Sequence, residues 1–455
     1  MKRYFKMGVG FLGNMTGTLY THLQNPRIRT EATVVAVHVV FQFLLTFISL
    51  KVLTSLLGME AFGEFQLAMT GEGLLTSVLI MPMQNTYLRF FHKAETEWFA
   101  RSAGAFTLKW YAAITGLVFL LGCLLTLPFS KLFNLAPLTV MAVSVLFVVG
   151  RWRQLGTQVL TIRRKRIAAG VQNLGWLATQ ILFAFIIIRI WNASASAALF
   201  GYAIGAMIFA GISMFPLIRW ILARQDTQKG DMLKLVLTYG LPTGALLLCQ
   251  WVQGFADRYI LAIQLDKEAT GLYIAAFQIC GAPYLFIQYF IRSMLLPIAF
   301  QRAKDMNNHR QLWSADKILM IGIAIFLLIG IAVLGLYAMF GQQLVILLTT
   351  AKFVIPTHVL ILLACCRMIQ GVLDLVQMFF AVHQRIGALL LYRVLGAIIT
   401  VPLCWFAISR YGILGAAIGS LVATLACAML LCFCPNGVLH LVRGVRRKAR
   451  PSHAS

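Results

Sequence analysis

Apolar stretches of roughly 20 residues follow one another from about residue 33 to 434, separated by short polar or basic breaks. Each is long enough to cross ~30 Å of hydrocarbon. A backbone in lipid must satisfy its own hydrogen bonds, so these stretches predict helices. None alternates with the period of two that a membrane barrel strand needs. The breaks place twelve spans at about 33–57, 62–83, 104–127, 135–150, 171–190, 196–218, 235–263, 271–298, 318–340, 354–380, 386–409 and 412–434.

The pattern repeats. LGMEAFGEFQLA at 57–68 returns as LDKEATGLYIAA at 265–276: Leu57, Glu60, Ala61, Gly63 and Ala68 become Leu265, Glu268, Ala269, Gly271 and Ala276. LFGYAIG at 199–205 returns as ILGAAIG at 413–419, keeping Gly201/Gly415 and Gly205/Gly419. Two copies of a six-helix bundle explain both echoes. An even number of spans per copy makes the repeats parallel, related by an axis along the membrane normal. The expected divisions are a basic N-terminal segment (1–32), an N-lobe (33–218), a linker (219–234), a C-lobe (235–434) and a basic tail (435–455).

Composition fits this plan: 60% of residues are hydrophobic and 12% charged, against about 45–50% and 25% in soluble domains. The net charge of +25 does not imply nucleic acid, because the cations are confined to alternate loops. The loops after the even-numbered helices and both tails are basic, RWRQ…IRRKR at 151–166 most clearly. Only Lys131, Arg189, Lys267, Lys352 and Arg410 fall on the other side. The positive-inside rule then puts both termini in the cytoplasm. All nine cysteines lie in apolar segments and read as small buried residues rather than disulfides or metal ligands.

Polar residues inside spans are costly and mark cavities or partners. Helix 10 carries Arg367, Gln370, Asp374 and Gln377 on one face. Helix 7 aligns Tyr239, Thr243, Gln250, Gln253 and Asp257; helix 1 aligns His38, Gln42, Thr46 and Ser49, and the repeat maps Gln42 onto Gln250 and Ser49 onto Asp257. Two lobes facing a shared cavity produce this pattern, and so does polar glue between neighbouring helices. Helix 8 lines up Gln278, Gln288 and Arg292, the last within snorkelling distance of the basic side. Arg258 is turned away from Gln250. Lys51 lies nearly opposite the Gln42/Ser49 face, which favours snorkelling or packing. Glu72 is a lone carboxylate in helix 2: inert if protonated, or a site that binds and releases H⁺ or Na⁺.

LLGMEAFGEFQLA after helix 1, FADRYILAIQLDKEATGLYIAA across helices 7–8 and RYGILGAAIGSLVA opening helix 12 resemble the Wzx-type polysaccharide-biosynthesis flippases of the multidrug/oligosaccharidyl-lipid/polysaccharide (MOP) exporter superfamily. The similarity covers about residues 33–434. It implies an all-α integral membrane protein with two six-helix lobes around a central cavity. It also implies alternating access that moves an undecaprenyl-pyrophosphate-linked oligosaccharide from the inner to the outer leaflet of a bacterial cytoplasmic membrane, for O-antigen, capsule or exopolysaccharide synthesis. The implied partners are the lipid-linked glycan, the bilayer and a polysaccharide polymerase or export complex. On this reading Arg258, Arg292, Arg367 and Lys51 supply cations for the pyrophosphate. Gln42, Gln250, Gln253 and Gln370 serve the sugar hydroxyls. Asp257, Asp374 and Glu72 are the candidates for ion coupling, Asp374 first, with Arg367 as its switchable partner.

Catalytic and cofactor signatures are missing from the sequence. It has no P-loop and no HExxH, and His92, His358 and His383 are isolated. No enzyme activity, cofactor or metal is expected. A polysaccharide polymerase or ligase, usually built around a large outer loop, fits the short outer loops poorly. A small-molecule or drug antiporter of the same superfamily is the other reading, although a cavity for cationic drugs favours acidic groups. The twelve-helix facilitator signature is missing between helices 2 and 3.

Overall fold

The computed structural model describes residues 26–96, 99–133, 135–223, 225, 230–303, 308–383, 385–433, 437–440 and 442. Most of the expected N-terminal segment and of the basic tail lies outside the described residues. Every regular element described is a helix: α1 (Pro26–Leu56), α2 (Met59–Leu75), α3 (Met81–Thr96), α4 (Ala100–Leu124), α5 (Thr126–Phe133), α6 (Pro137–Ile162), α7 (Arg166–Ile190), α8 (Ala195–Leu222), α9 (Met232–Leu235), α10 (Leu241–Gln264), α11 (Lys267–Arg302), α12 (His309–Leu348), α13 (Thr357–Val382) and α14 (Ile386–Phe433). A π-helical turn, Thr76–Ile80, joins α2 to α3, and another, Val236–Gly240, joins α9 to α10.

Among the described residues ten helices are long and apolar enough to cross a membrane. One of them, within α14, is two crossings: Gly412 has φ 56°, a left-handed value that glycine adopts without a Cβ penalty, and the chain folds back there. The rod from α2 through the π turn to α3, left out of the ten by its charges and its break, completes the twelve expected crossings. Their outer faces carry side chains such as Phe215, Leu328 and Met339, exposed as lipid-facing residues are.

The glycines of the two sequence echoes lie where helices touch. A Cβ on Gly201 would come within 2.5 Å of the backbone of Ala184, and one on Gly205 within 2.7 Å of Gln180, so α8 lies against α7. Gly415 and Gly419 do the same inside α14, against Ala407 and Cys404. Small residues let backbones approach closely enough for van der Waals attraction to hold helices in lipid. Gly63 and Gly271 instead meet each other. A Cβ on Gly63 would sit 2.0 Å from the Lys267 carbonyl, and one on Gly271 2.2 Å from that of Met59. The equivalent helices α2 and α11 thus cross at equivalent residues, as expected at the axis relating two repeats. The lobes also meet where α10 packs on α2, the π turn and α3.

Two boundaries differ from the sequence reading. Helix 4 continues to Ile162 rather than ending near 150, so Arg151 and Arg153 are helical and partly or fully buried instead of in a basic loop. Helix 2 runs on to Thr96 through its π turn. Hydropathy penalises each charge as though it were bare, whereas these arginines are compensated. Arg151 reaches Glu72 at 2.8 Å, and Arg153 lies 3.6 Å from the centre of the Trp176 ring.

Candidate functional site

The C-lobe holds a polar cluster built from four helices. Arg393 on α14 donates to Gln253 Oε1 at 2.6 Å and pairs with Asp374 Oδ1 at 3.1 Å. Gln253 returns a bond to the Arg393 carbonyl at 2.6 Å. Asp374 also accepts from Gln377 Nε2 at 2.7 Å and from Gln288 Nε2 at 3.0 Å. Gln377 accepts from Gln250 Nε2 at 2.9 Å. The stripe on α13 therefore faces α10, α11 and α14 at once. The expected Arg367–Asp374 partnership is not formed: Asp374 pairs with Arg393, which comes within reach from another helix, while Arg367 turns to Gln370 Oε1 at 2.7 Å.

Arg258 and Arg367 approach the same aromatic ring. Their guanidinium carbons lie 5.2 and 4.7 Å from the centre of Phe277. Cation–π contact compensates a desolvated guanidinium only in part. Arg258 is buried and donates across the lobe boundary to Thr70 Oγ1 at 3.2 Å. Among the described residues neither arginine forms an ion pair. Asp257, next in sequence to Arg258, is held elsewhere: its carboxylate accepts from Tyr273 at 2.5 Å, Ser420 at 2.9 Å and the Arg258 backbone N–H at 2.9 Å.

In the N-lobe Glu72 is buried and paired with Arg151, which is itself bonded to Gln154. Gln84 bonds Gln158 and accepts from Tyr111 at 2.9 Å. The end of the molecule opposite the basic loops is tied across the lobes. Lys267 pairs with Glu64 at 2.9 Å, and Gln278 donates to Gln66 at 2.9 Å. Glu64 additionally accepts from the backbone N–H of Ala136, just before α6, at 2.6 Å. Lys51 joins these ties: its ammonium donates to the carbonyls of Ile346, at 3.0 Å, and Thr349, where α12 ends. Gln42 and Arg292 are exposed on α1 and α11, outside the C-lobe cluster. The structure thus brings Gln250, Gln253 and Asp374 together, sets Arg258, Arg367 and Gln370 around Phe277 and α13, and leaves Lys51, Gln42, Arg292 and Glu72 apart. Arg393, Arg151 and Glu64 were not among the sequence candidates. Arg393 and Glu64 were charges inside expected helices, and Arg151 was assigned to a basic loop, so none carried a signal of its partner.

The helices and crossings form a fold shared with solved transporters of the MOP superfamily. The chain matches an inward-facing multidrug resistance MATE family transporter of the MOP superfamily with TM-score 0.71 at 13% identity, over 91% of this chain and 96% of that one. It matches the lipid II flippase MurJ, inward closed, with TM-score 0.66 at 13% identity, over 91% and 90%. An outward-facing MATE transporter gives TM-score 0.59 at 14% identity, over 91% and 94%. No curated protein matches the sequence. The model of the polysaccharide biosynthesis protein family matches residues 28–303, and the chain belongs to that family.

Proposed function

We propose that this membrane protein carries a pyrophosphate-linked oligosaccharide on a polyprenyl lipid from the inner to the outer leaflet of a bacterial cytoplasmic membrane, by alternating access between its two lobes. The observation that carries this reading is the state of Arg258 and Arg367. Two guanidinium groups inside membrane-spanning helices form no ion pair among the described residues and flank one ring. Ring contact and one side-chain hydrogen bond each, Arg258 to Thr70 and Arg367 to Gln370, offset only part of the cost of burying such cations. An anionic cargo offsets that cost, and the planar fork of arginine matches phosphate oxygens. Gln250, Gln253 and Gln370 add amides suited to sugar hydroxyls. Family membership supports a glycan cargo, and the MurJ-like fold is compatible with a lipid-linked one. The better match to inward-facing than to outward-facing MATE folds supports an inward-facing state, as do the ties at the end opposite the basic loops.

Proteoliposomes loaded with labelled undecaprenyl-pyrophosphate-linked glycan test the reading. The parent protein moves the label between leaflets; Arg367→Ala and Arg258→Ala reduce movement to the empty-liposome background, and Arg367→Lys restores part of it. Imposed H⁺ or Na⁺ gradients in the same vesicles score Glu72→Gln, Asp257→Asn and Asp374→Asn for coupling. Parental transport of the glycan by both alanine variants, or transport of cationic drugs but no glycan by the parent, overturns it.

A further inference from the structure

Arg393 and Asp374 are paired unequally with respect to the surroundings. The Arg393 side chain is 7% exposed and that of Asp374 39%. The carboxylate is thus the open partner of a buried cation and lies on the accessible side of it. It also collects three donors from three helices: Arg393 Nη2 from α14, Gln377 Nε2 from α13 and Gln288 Nε2 from α11. Convergent side-chain donors of this kind make an anion site. Here the anion that occupies it is the protein's own side chain. The N-lobe pair differs. Glu72 and Arg151 are 9% and 15% exposed, so neither partner is open.

We propose that Asp374 is an internal competitor covering an anion site formed by Arg393, Gln288 and Gln377, and that it makes the carrier select pyrophosphate over singly charged anions. This deepens the proposed function and rests on it: the pyrophosphate brought to Arg258 and Arg367 meets Arg393 as a further cation at Asp374, seven residues along α13 from Arg367. A carboxylate brings one negative charge to Arg393. A single phosphate diester or another carboxylate brings no more, and meets a competitor that is already tethered in place. A pyrophosphate diester brings about two charges over a longer array of oxygens, so its attraction to the same guanidinium is about twice as large at equal distance. It displaces the carboxylate where the weaker anion does not. Rejecting the wrong ligand through a built-in cost is a standard route to specificity. Asp374 turns outward as the cargo enters, and the two glutamine amides pass from carboxylate to phosphate oxygens. No covalent bond is made or broken.

The test uses two short polyprenyl diesters, the methyl ester of farnesyl pyrophosphate with about two negative charges and the monophosphate diester farnesyl methyl phosphate with one, binding to the full chain in lipid nanodiscs. The parent is expected to prefer the pyrophosphate by about tenfold or more. Asp374→Asn keeps the shape but removes the competing charge. It should bind the monophosphate more tightly and bring the ratio close to one. Arg393→Lys should weaken both probes. Gln288→Leu and Gln377→Leu should weaken the pyrophosphate without altering any charge, which guards against an Arg393 variant that does not fold. A purely structural pair would lower stability in these variants but leave the ratio unchanged. An unchanged ratio in Asp374→Asn, with the parent still preferring the pyrophosphate, overturns this inference and leaves the proposed function standing. A parent that binds neither probe overturns both.

Discussion

Lys51 illustrates how one side chain decides between two readings. As an intramembrane cation it qualifies by type for pyrophosphate binding. Its ammonium is nevertheless already engaged by the Ile346 and Thr349 carbonyls, groups that a helix leaves without internal partners at its C-terminal end. A cation there also suits the negative end of the helix dipole. Lys51→Met is therefore expected to lower thermal stability, by an amount on the order of 1 kcal/mol, while the affinity for farnesyl pyrophosphate in nanodiscs stays at the parental value. A large loss of that affinity with unchanged melting would return Lys51 to the binding set. Arg393 makes the opposite case. Nothing in its local sequence separates it from a snorkelling arginine, because pairing between α13 and α14 is a property of how helices are placed. Periodicity shows which residues share a face. It does not show what that face meets. For this reason the stripe of Arg367, Gln370, Asp374 and Gln377 was legible while the partner of Asp374 was not.

At the scale of elements, sequence reading succeeded where the bilayer imposes the rule. Every expected span has a helix, since lipid demands a run of apolar residues and an internally bonded backbone. It failed at the basic ends of helices 2 and 4, which run on past the point at which hydropathy falls; at helix 4 Arg151 pairs with Glu72 and Arg153 lies over the Trp176 ring. The glycine echoes were legible as repeats, and the structure adds that they are contact points. A prediction follows from the spacing. Gly201→Val and Gly415→Val each push a branched side chain into the backbone of a neighbouring helix arm, at 2.4 and 2.0 Å for the Cβ alone. No rotamer relieves a backbone clash, so both variants are expected to lose the monodisperse peak in size-exclusion chromatography. Gly254, with nothing within 4 Å of its would-be Cβ, should accept alanine and keep that peak. Equal behaviour of the three variants would mean that α7, α8 and the arms of α14 are not packed as described.

Across the whole molecule, the repeat puts a constraint on motion. Gly63 and Gly271 cross with their backbones in contact, and around that crossing the two lobes are joined by Lys267–Glu64 and Gln278–Gln66. Any cycle that opens this end must part α2 from α11, breaking one ion pair and one hydrogen bond between amide side chains and removing a contact that only glycine permits. The Glu64–Lys267 pair is partly buried, and such pairs are tight only while both partners remain. The tie is therefore a closure that can be released, not a permanent weld. Fixing it should stop transport without altering the cargo site. In a background with the nine cysteines replaced, Gln66→Cys and Gln278→Cys can be joined by a short bifunctional maleimide across α2 and α11. The joined protein is expected to bind farnesyl pyrophosphate like its unjoined form, yet to move lipid-linked glycan no faster than empty liposomes. Each single-cysteine variant treated with the same reagent should transport normally, which separates tethering from mere modification. Transport at the unjoined rate by the joined protein would show that the cargo crosses without parting α2 and α11, and alternating access about this crossing would have to be abandoned.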